Sequence, residues 1–492
     1  MRPSTQVLSA TFIVFNNDAF YLHFMENNDQ RNFSEQLQLL HELQYFDTPH
    51  QFQRNNRRSR DTNREMRLLD TITVALSTGN PGEVFAAAFD KRKKVELVLA
   101  KNGHPTPDDI AAAEELISLI GSPAVSDAMD LFPFLMHRGG ANLNKWIHNL
   151  HTSIQDGELC NDFTLALETY EPADITSEFP HAGAILRQRY GDAVPPFLTV
   201  WGNFVEEIAQ ITAQGLNAGD ISTSAVKFRR ILRVANALSH SRFLKTLVEV
   251  NLWSAEKLKR RLDRVRHITI SISHLVKQGK RLFPITHRWV MDTFTGTGER
   301  VFDLCNDPYN AISRRLYLPL SPENMDRLDK KFPSIRSNWQ RHKTVHTCIH
   351  AELRVILHLG LPLEIGSPVR PIGLNKRCCI CCSLWIEKHN GMFGTSWKTS
   401  RFRGKPHANW ALPGAACSCD GTGSVDEAVV QAISMRLTNA LDWNFPLVSS
   451  EDESGSDTEL FQIGVGPGLS SLEISCQTPC CRWCRWGSSL IG

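Results

Sequence analysis

The sequence predicts an α-helical N-terminal region followed by an α/β/α three-layer domain. Three observations carry that reading. Residues from about 66 to 280 show helical spacing with Gly or Pro punctuation. After 281 aromatic and β-branched residues appear among turn residues, and 345–441 alternates helix, strand, helix, strand, helix. The expected division is 1–65 as an N-terminal segment and polar linker, 66–280 as an all-α region, 281–448 as the α/β/α domain and 449–492 as an acidic, Ser/Gly-rich and Cys-containing tail.

The segments justify this in order. Residues 51–65, QFQRNNRRSRDTNRE, are polar and aperiodic, as a linker after a short helical piece would be. PGEVFAAAFDKRKKVELVLA, PTPDDIAAAEELISLIG, LTVWGNFVEEIAQITAQG and SAVKFRRILRVANALSHSRFLKTLVEV all read as helices. Residues 227–281 hold fifteen Lys and Arg against three acids, and the seam Leu258, Leu262, Val265, Thr269, Ile272, Val276 puts the cations on the outer faces of a helix. Such a surface is either a solvated helix face or a phosphate-contacting one, which would suit single-stranded DNA or RNA.

Between 281 and 345 a few strands or irregular connections are expected. VHTCIHAELRVILHLG reads as a short helix, VRPIGL as a buried strand, CSLWIEKHN as a helix and TSWKTSRF as a strand. Ser424-Val425-Asp426-Glu427 opens a helix as a capping box, with Val429, Ile433, Leu437 and Leu441 as its apolar stripe. The tail starts SSEDESGSDTE, a solvated acidic run expected to be disordered. Neither its GVGPG nor the GTG at 296–298 has the strand and helix that a phosphate loop needs.

Composition bounds the function. Fifty-four Lys and Arg against 52 Asp and Glu leave a net charge of +2, so no global field argues for nucleic acid or membrane. No run of about 18 apolar residues occurs, and Val7–Phe15 lacks a small-residue cleavage site, so no membrane span or leader is expected. The expected residence is intracellular, cytoplasmic or nuclear, where 13 cysteines read as thiols or metal ligands.

Four of those cysteines, Cys378, Cys379, Cys381 and Cys382, fall within five positions, and two pairs in the cluster have C-x-x-C spacing. Cysteines three apart at a helix start bring both sulfurs to one side, where the positive helix end favours thiolates. His350 and Glu352 stand 26 residues or more before the cluster. One imidazole and two thiolates make the three protein ligands of a catalytic zinc, which keeps its fourth position for water. Residues two apart on a regular helix diverge by about 200°, so His350 and Glu352 can share a centre only if the helix begins near His350. Glu352 would then move protons as base and acid beside the metal. The order H-x-E then C-x-x-C is that of zinc-dependent base deaminases.

HAELRVILHL, IGLNKRCCICCSLWI and GTSWKTSRFRGKPHANWALP together resemble the fungal-type deaminase-like family of the cytidine deaminase-like superfamily. Its members look like H-A-E, a strand ending I-G-x-S-K, C-x-x-C and a G-K…W-x-x-P stretch. The resemblance covers about residues 345–415 and implies a cytidine deaminase-like domain with Zn2+ held by His350, Cys379 and Cys382. It also implies Glu352 as proton shuttle and puts the family lysine at Lys376, which could contact a substrate phosphate or simply end a strand in solvent, and the position of that lysine selects Cys379 and Cys382 over Cys378 and Cys381. The chain departs from the pattern at Cys378, where Pro is common, at Asn375, where Ser is usual, and at Arg403, where His is common.

The implied activity is zinc-dependent hydrolytic deamination of a cytosine or adenine base in a nucleotide or nucleic acid. The alternative is a catalytically silent module of the same fold that recruits a protein or RNA, its zinc purely structural. His342, His346 and His350, four residues apart, could also form a metal-binding face if they share a helix. Trp385 and Trp410 could stack on a base or fill the core, and His358 reads as a surface or core histidine. Cys476, Cys480, Cys481 and Cys484 read as a tail without metal partners.

Overall fold

A computed structural model of the chain describes residues 19–47, 60–171, 173–191, 196–214, 221–293, 296–317, 319–360, 369–400, 402–414 and 424–444. Helices α1 (Ala19–Glu42) and α2 (Arg60–Leu76) precede strands β1 (Phe85–Asp90) and β2 (Glu96–Lys101). Helices follow: α3 (Pro107–Gly121), α4 (Phe132–Ile154), α5 (Gly157–Thr169), α6 (Ile175–Glu178), α7 (Gly183–Tyr190), α8 (Pro196–Gln214), α9 (Ile221–Ser239), α10 (Arg242–Glu249) and α11 (Trp253–Leu282). Next come β3 (Thr286–Trp289), β4 (Arg300–Asp303), α12 (Pro308–Leu316), α13 (Pro322–Lys331), α14 (Ile335–Arg341) and β5 (Thr344–Thr347). The chain continues through α15 (Ala351–Leu359), β6 (Arg370–Leu374), α16 (Ile380–Phe393), β7 (Trp397–Thr399) and α17 (Val425–Asn444).

The main sheet has the order β3-β2-β1-β6-β7. β1 is antiparallel to β2 and to β6, while β2 with β3 and β6 with β7 are parallel. β4 and β5 form a separate antiparallel pair. The sheet therefore takes strands from both sides of residue 280, and residues 66–280 are not the all-α region that the sequence predicts.

The miss lies in residues 81–100, a hairpin where a helix is expected. Alanine at 86–88 favours a helix by intrinsic propensity, but here the strands are covered on both faces, which erases the period-two pattern. Ala86, Ala88, Val98 and Ala100 enter one core with α15, α16 and α17. Ala87, Leu97 and Leu99 enter another with α2, α3 and α11. Small side chains let helices approach closely, as at Gly373 of β6. A Cβ there would lie 2.2 Å from the carbonyl carbon of Leu69 and 2.4 Å from the amide nitrogen of Asp70, both backbone atoms of α2.

Helix α11 ties the helical cluster to the sheet. Leu258, Leu262 and Val265 of its seam are buried with α4, α8 and α9, whereas Ile272, Leu275 and Val276 belong to the core under β1 and β2. Residues 281–345 carry more helix than expected, in α12, α13 and α14, and 60–65 belong to α2, not to a linker. The capping box at Ser424 forms in both directions, and its stripe of Val429, Ile433, Leu437 and Leu441 is buried. The acidic tail and its cysteines lie outside the described residues. Among the described residues no helix is long and apolar enough to cross a membrane.

His389 gives this fold an acid-sensitive point. It is 5% exposed on α16, stacked on Trp385 and bonded to Thr395, and burial holds its pKa down at about 4. Between about pH 6.5 and 4 the unfolded chain binds a proton that the native ring refuses, so stability falls as pH falls. Going from pH 7 to 5 should cost about 2 kcal/mol through this group. Urea denaturation at the two pH values should show that loss in the wild type and a smaller one in His389→Gln.

Candidate metal centre

Two helix starts converge to make the site. His350 is the N-cap of α15 in extended conformation, and its own side chain makes no capping bond. Asn102, just past β2, does that work: its Oδ1 accepts from the Ala351 N–H at 2.8 Å. The imidazole is thereby left free to face α16. Cys379 is the N-cap of α16, and its sulfur accepts from the Cys382 N–H at 3.4 Å. Both sulfurs thus sit at the positive end of that helix, which favours thiolate.

His350 Nδ1 lies 3.6 Å from Cys379 Sγ and 3.3 Å from Cys382 Sγ, and one ligand atom from each of the three residues falls within 4.8 Å of the others. In a tetrahedral zinc site with ordinary Zn–N and Zn–S bonds, the N···S edge is about 3.6 Å. The donors therefore stand close to tetrahedral spacing. A divalent zinc fits this donor set, with His350, Cys379 and Cys382 as its holders.

Electrostatics agree. Burial would raise the Cys379 thiol, but hydrogen bonds from Cys381 and Cys382 and the charge of His350 hold it well below the usual thiol value. Burial, and then hydrogen bonds with Cys378 and Cys379, push Cys382 well above it. Burial opposes protonation of His350, yet the Cys379 thiolate outweighs it and raises the imidazole. These directions favour the charged forms of Cys379 and His350, and a bound dication would favour loss of the proton of the second thiol as well.

Glu352 follows at the second position of α15, 2% exposed, with its pKa raised chiefly by burial. Glu352 Oε2 and His350 Nε2 are buried without a hydrogen-bond partner among the described residues. Buried polar groups are ordinarily satisfied, so the Glu352 oxygen is where something else is due to bind.

Cys379 and Cys382 meet His350, whereas Cys378 turns its sulfur to the Cys379 carbonyl and Cys381 is core. The three-histidine face does not form: residues 344–347 are strand, His346 is exposed on it, and His342 caps α14. His358 accepts from Arg288 Nε at the protein edge. Lys376 is exposed between β6 and α16, outside the metal group, with Glu83, Lys145 and Arg403 among the charges acting on it. Trp385 is buried and donates to Asp426, so it is core.

Trp410 has a role that the sequence reading missed. Fully buried, it donates its indole N–H to Cys382 Sγ at 3.1 Å. Gln30 of α1 fixes that loop by donating to the Trp410 carbonyl and accepting from the Leu412 N–H, while Phe33 packs edge-on against the indole. Gly298 also crosses close by. Its φ is +66°, and a Cβ would fall 2.8 Å from Ile349 Cγ1. Arg354, fully buried on α15, donates to the carbonyls of Lys101, Gly103, Val290 and Met291, locking the helix to the ends of β2 and β3.

Residues 349–414 match the model of a deaminase-like family, OTT_1508_deam. The matched stretch holds His350, Glu352, Cys379, Cys382 and Trp410, but neither β1 and β2 nor Asn102 and Gln30. No curated protein and no solved structure matches the chain. The match indicates a deaminase-like domain. A possible metal site of one histidine and two cysteines lies within it.

Proposed function

We propose that the protein is a zinc-dependent hydrolytic deaminase acting on a cytosine or adenine base of a nucleotide or nucleic acid. The observation that carries this is the tetrahedral spacing of His350 Nδ1 and two sulfurs beside a buried carboxyl with an unpartnered oxygen. Bound zinc supplies the Lewis acidity that brings a water's pKa to near neutral. With that metal held, Glu352 would carry one proton of the attacking water to the ring nitrogen and the second to the leaving amine. Base and water become the oxo base and ammonia. His350 and Cys379 hold the metal against two helix starts, and Trp410 orients Cys382. Helices on both faces of the sheet support the three-layer cytidine deaminase-like reading.

Glu352→Ala should retain one zinc per chain and release no ammonia from substrates that the wild type deaminates. Removing a general base typically costs a factor of about 100 to 10,000. Metal analysis and an ammonia assay over cytidine, adenosine, their nucleotides and single-stranded DNA and RNA check this. A second reading has its own observation. None of His350, Glu352, Cys379 and Cys382 is more than 6% exposed, as in a structural zinc site of a catalytically silent module. Wild-type protein that holds zinc and deaminates none of these substrates would establish that reading instead.

A further inference from the structure

The helical cluster contains a cleft of about 410 Å³ between α9, α11 and the turn at Asp127. Arg229, Arg233 and Asn236 line it from α9 at steps of four and three, and Arg266, Ile270 and Ser273 line it from α11 in the same rhythm. That spacing places each trio along one helix face, so two stripes confront each other.

The three guanidiniums are held differently. Arg229 lies 3.5 Å from Asp127. Arg266 Nη1 meets both Asp263 and His240 at 3.0 Å, while its Nε–H is buried with no partner among the described residues. Arg233 is exposed and has no ion pair among the described residues. Four other cations of 227–281 are neutralised locally: Arg230 by Glu207, Lys245 by Glu249, Lys257 by Asp156 and Arg260 by Glu256. Arg233 and the Nε–H of Arg266 thus offer unspent donors within one concavity, beside apolar walls from Met129, Leu232 and Ile270.

We propose that this cleft binds a phosphate ester of nucleotide size, either a free nucleotide or one nucleotide of a single strand. Arg forks match phosphate oxygens bidentately, the volume is within the range of small-ligand sites, and the apolar wall suits a ring. The proposal takes from the preceding section only that the ligand is a nucleotide or nucleic acid, and it does not depend on chemistry at Glu352.

The test uses the full chain and a fluorescein-labelled twelve-nucleotide single-stranded RNA, read by anisotropy, with cytidine monophosphate and cytidine as competitors. Arg233→Glu should weaken RNA binding at least about tenfold and lower the salt slope by about one. Lys245→Glu, a like charge change on α10, should weaken it less than about twofold, and Arg233→Lys should fall between. Competition by the monophosphate but not the nucleoside identifies a free-nucleotide site, and competition by neither identifies the strand backbone. Equal losses in Arg233→Glu and Lys245→Glu would mean diffuse charge and overturn the proposal, as would absence of binding by both RNA and monophosphate. The anisotropy readout needs no turnover, so a failed deaminase assay and a failed cleft remain distinguishable.

Discussion

Replacing Cys382 with Ser should strip the metal from the purified chain, while Cys381→Ser should keep it. The two residues are adjacent and both are fully buried, so the contrast separates geometry from composition. Cys382 Sγ stands 3.3 Å from His350 Nδ1 and receives the Trp410 indole, whereas Cys381 is not among the atoms that converge. Structural zinc contributes about 10 to 16 kcal/mol of apparent binding in small domains. Loss of one thiolate should therefore lower affinity by orders of magnitude and lower the melting temperature of protein purified with zinc. Cobalt substitution offers the check: the thiolate charge-transfer band should be present in Cys381→Ser and absent in Cys382→Ser. Metal lost equally from both would show that the frame is wrong.

Gly373→Ala should prevent folding or cost upwards of about 4 kcal/mol. Overpacking of a core by one methyl is ordinarily worth about 1 to 3 kcal/mol because side chains can yield. Here the added carbon meets the α2 backbone at 2.2 and 2.4 Å, and neither atom can step aside unless α2 lifts from β6. The Leu374 N–H bond to Asp70 would go with it. Gly391→Ala, where a Cβ meets nothing within 4 Å, is the matched control and should fold as wild type. Soluble yield and a thermal melt read both.

Much of the site was legible because its residues act locally. The prediction that a helix begins near His350 came from the 200° divergence of residues two apart, and α15 begins at Ala351. Helix-start spacing left two cysteine pairs open, and only the resemblance, through Lys376, pointed to Cys379 and Cys382, while the stripe from Val429 to Leu441 was readable from its period. What stayed hidden depends on partners remote in sequence. Asn102 caps α15 from 249 residues away, and Gln30 holds the Trp410 loop from 380. No local pattern announces either. The hairpin at 85–101 was hidden because residues buried on two faces carry no alternation, and alanine then speaks for helix. The histidine series failed since a strand interrupts it.

The sheet order also sets a timetable during synthesis. Strand β1 can pair with β2 at once, but its other edge is completed by β6, which leaves the ribosome about 280 residues later. At 5 to 20 residues per second the wait is roughly 15 to 55 s. Throughout it a short apolar edge, FAAAF, stands open to any strand that passes. The helices from α3 to α11 emerge in that interval and can cover one face of the hairpin, though not its edge. A nascent chain of this design has reason to recruit chaperones between residues 101 and 370, before Cys379 and Cys382 are even made.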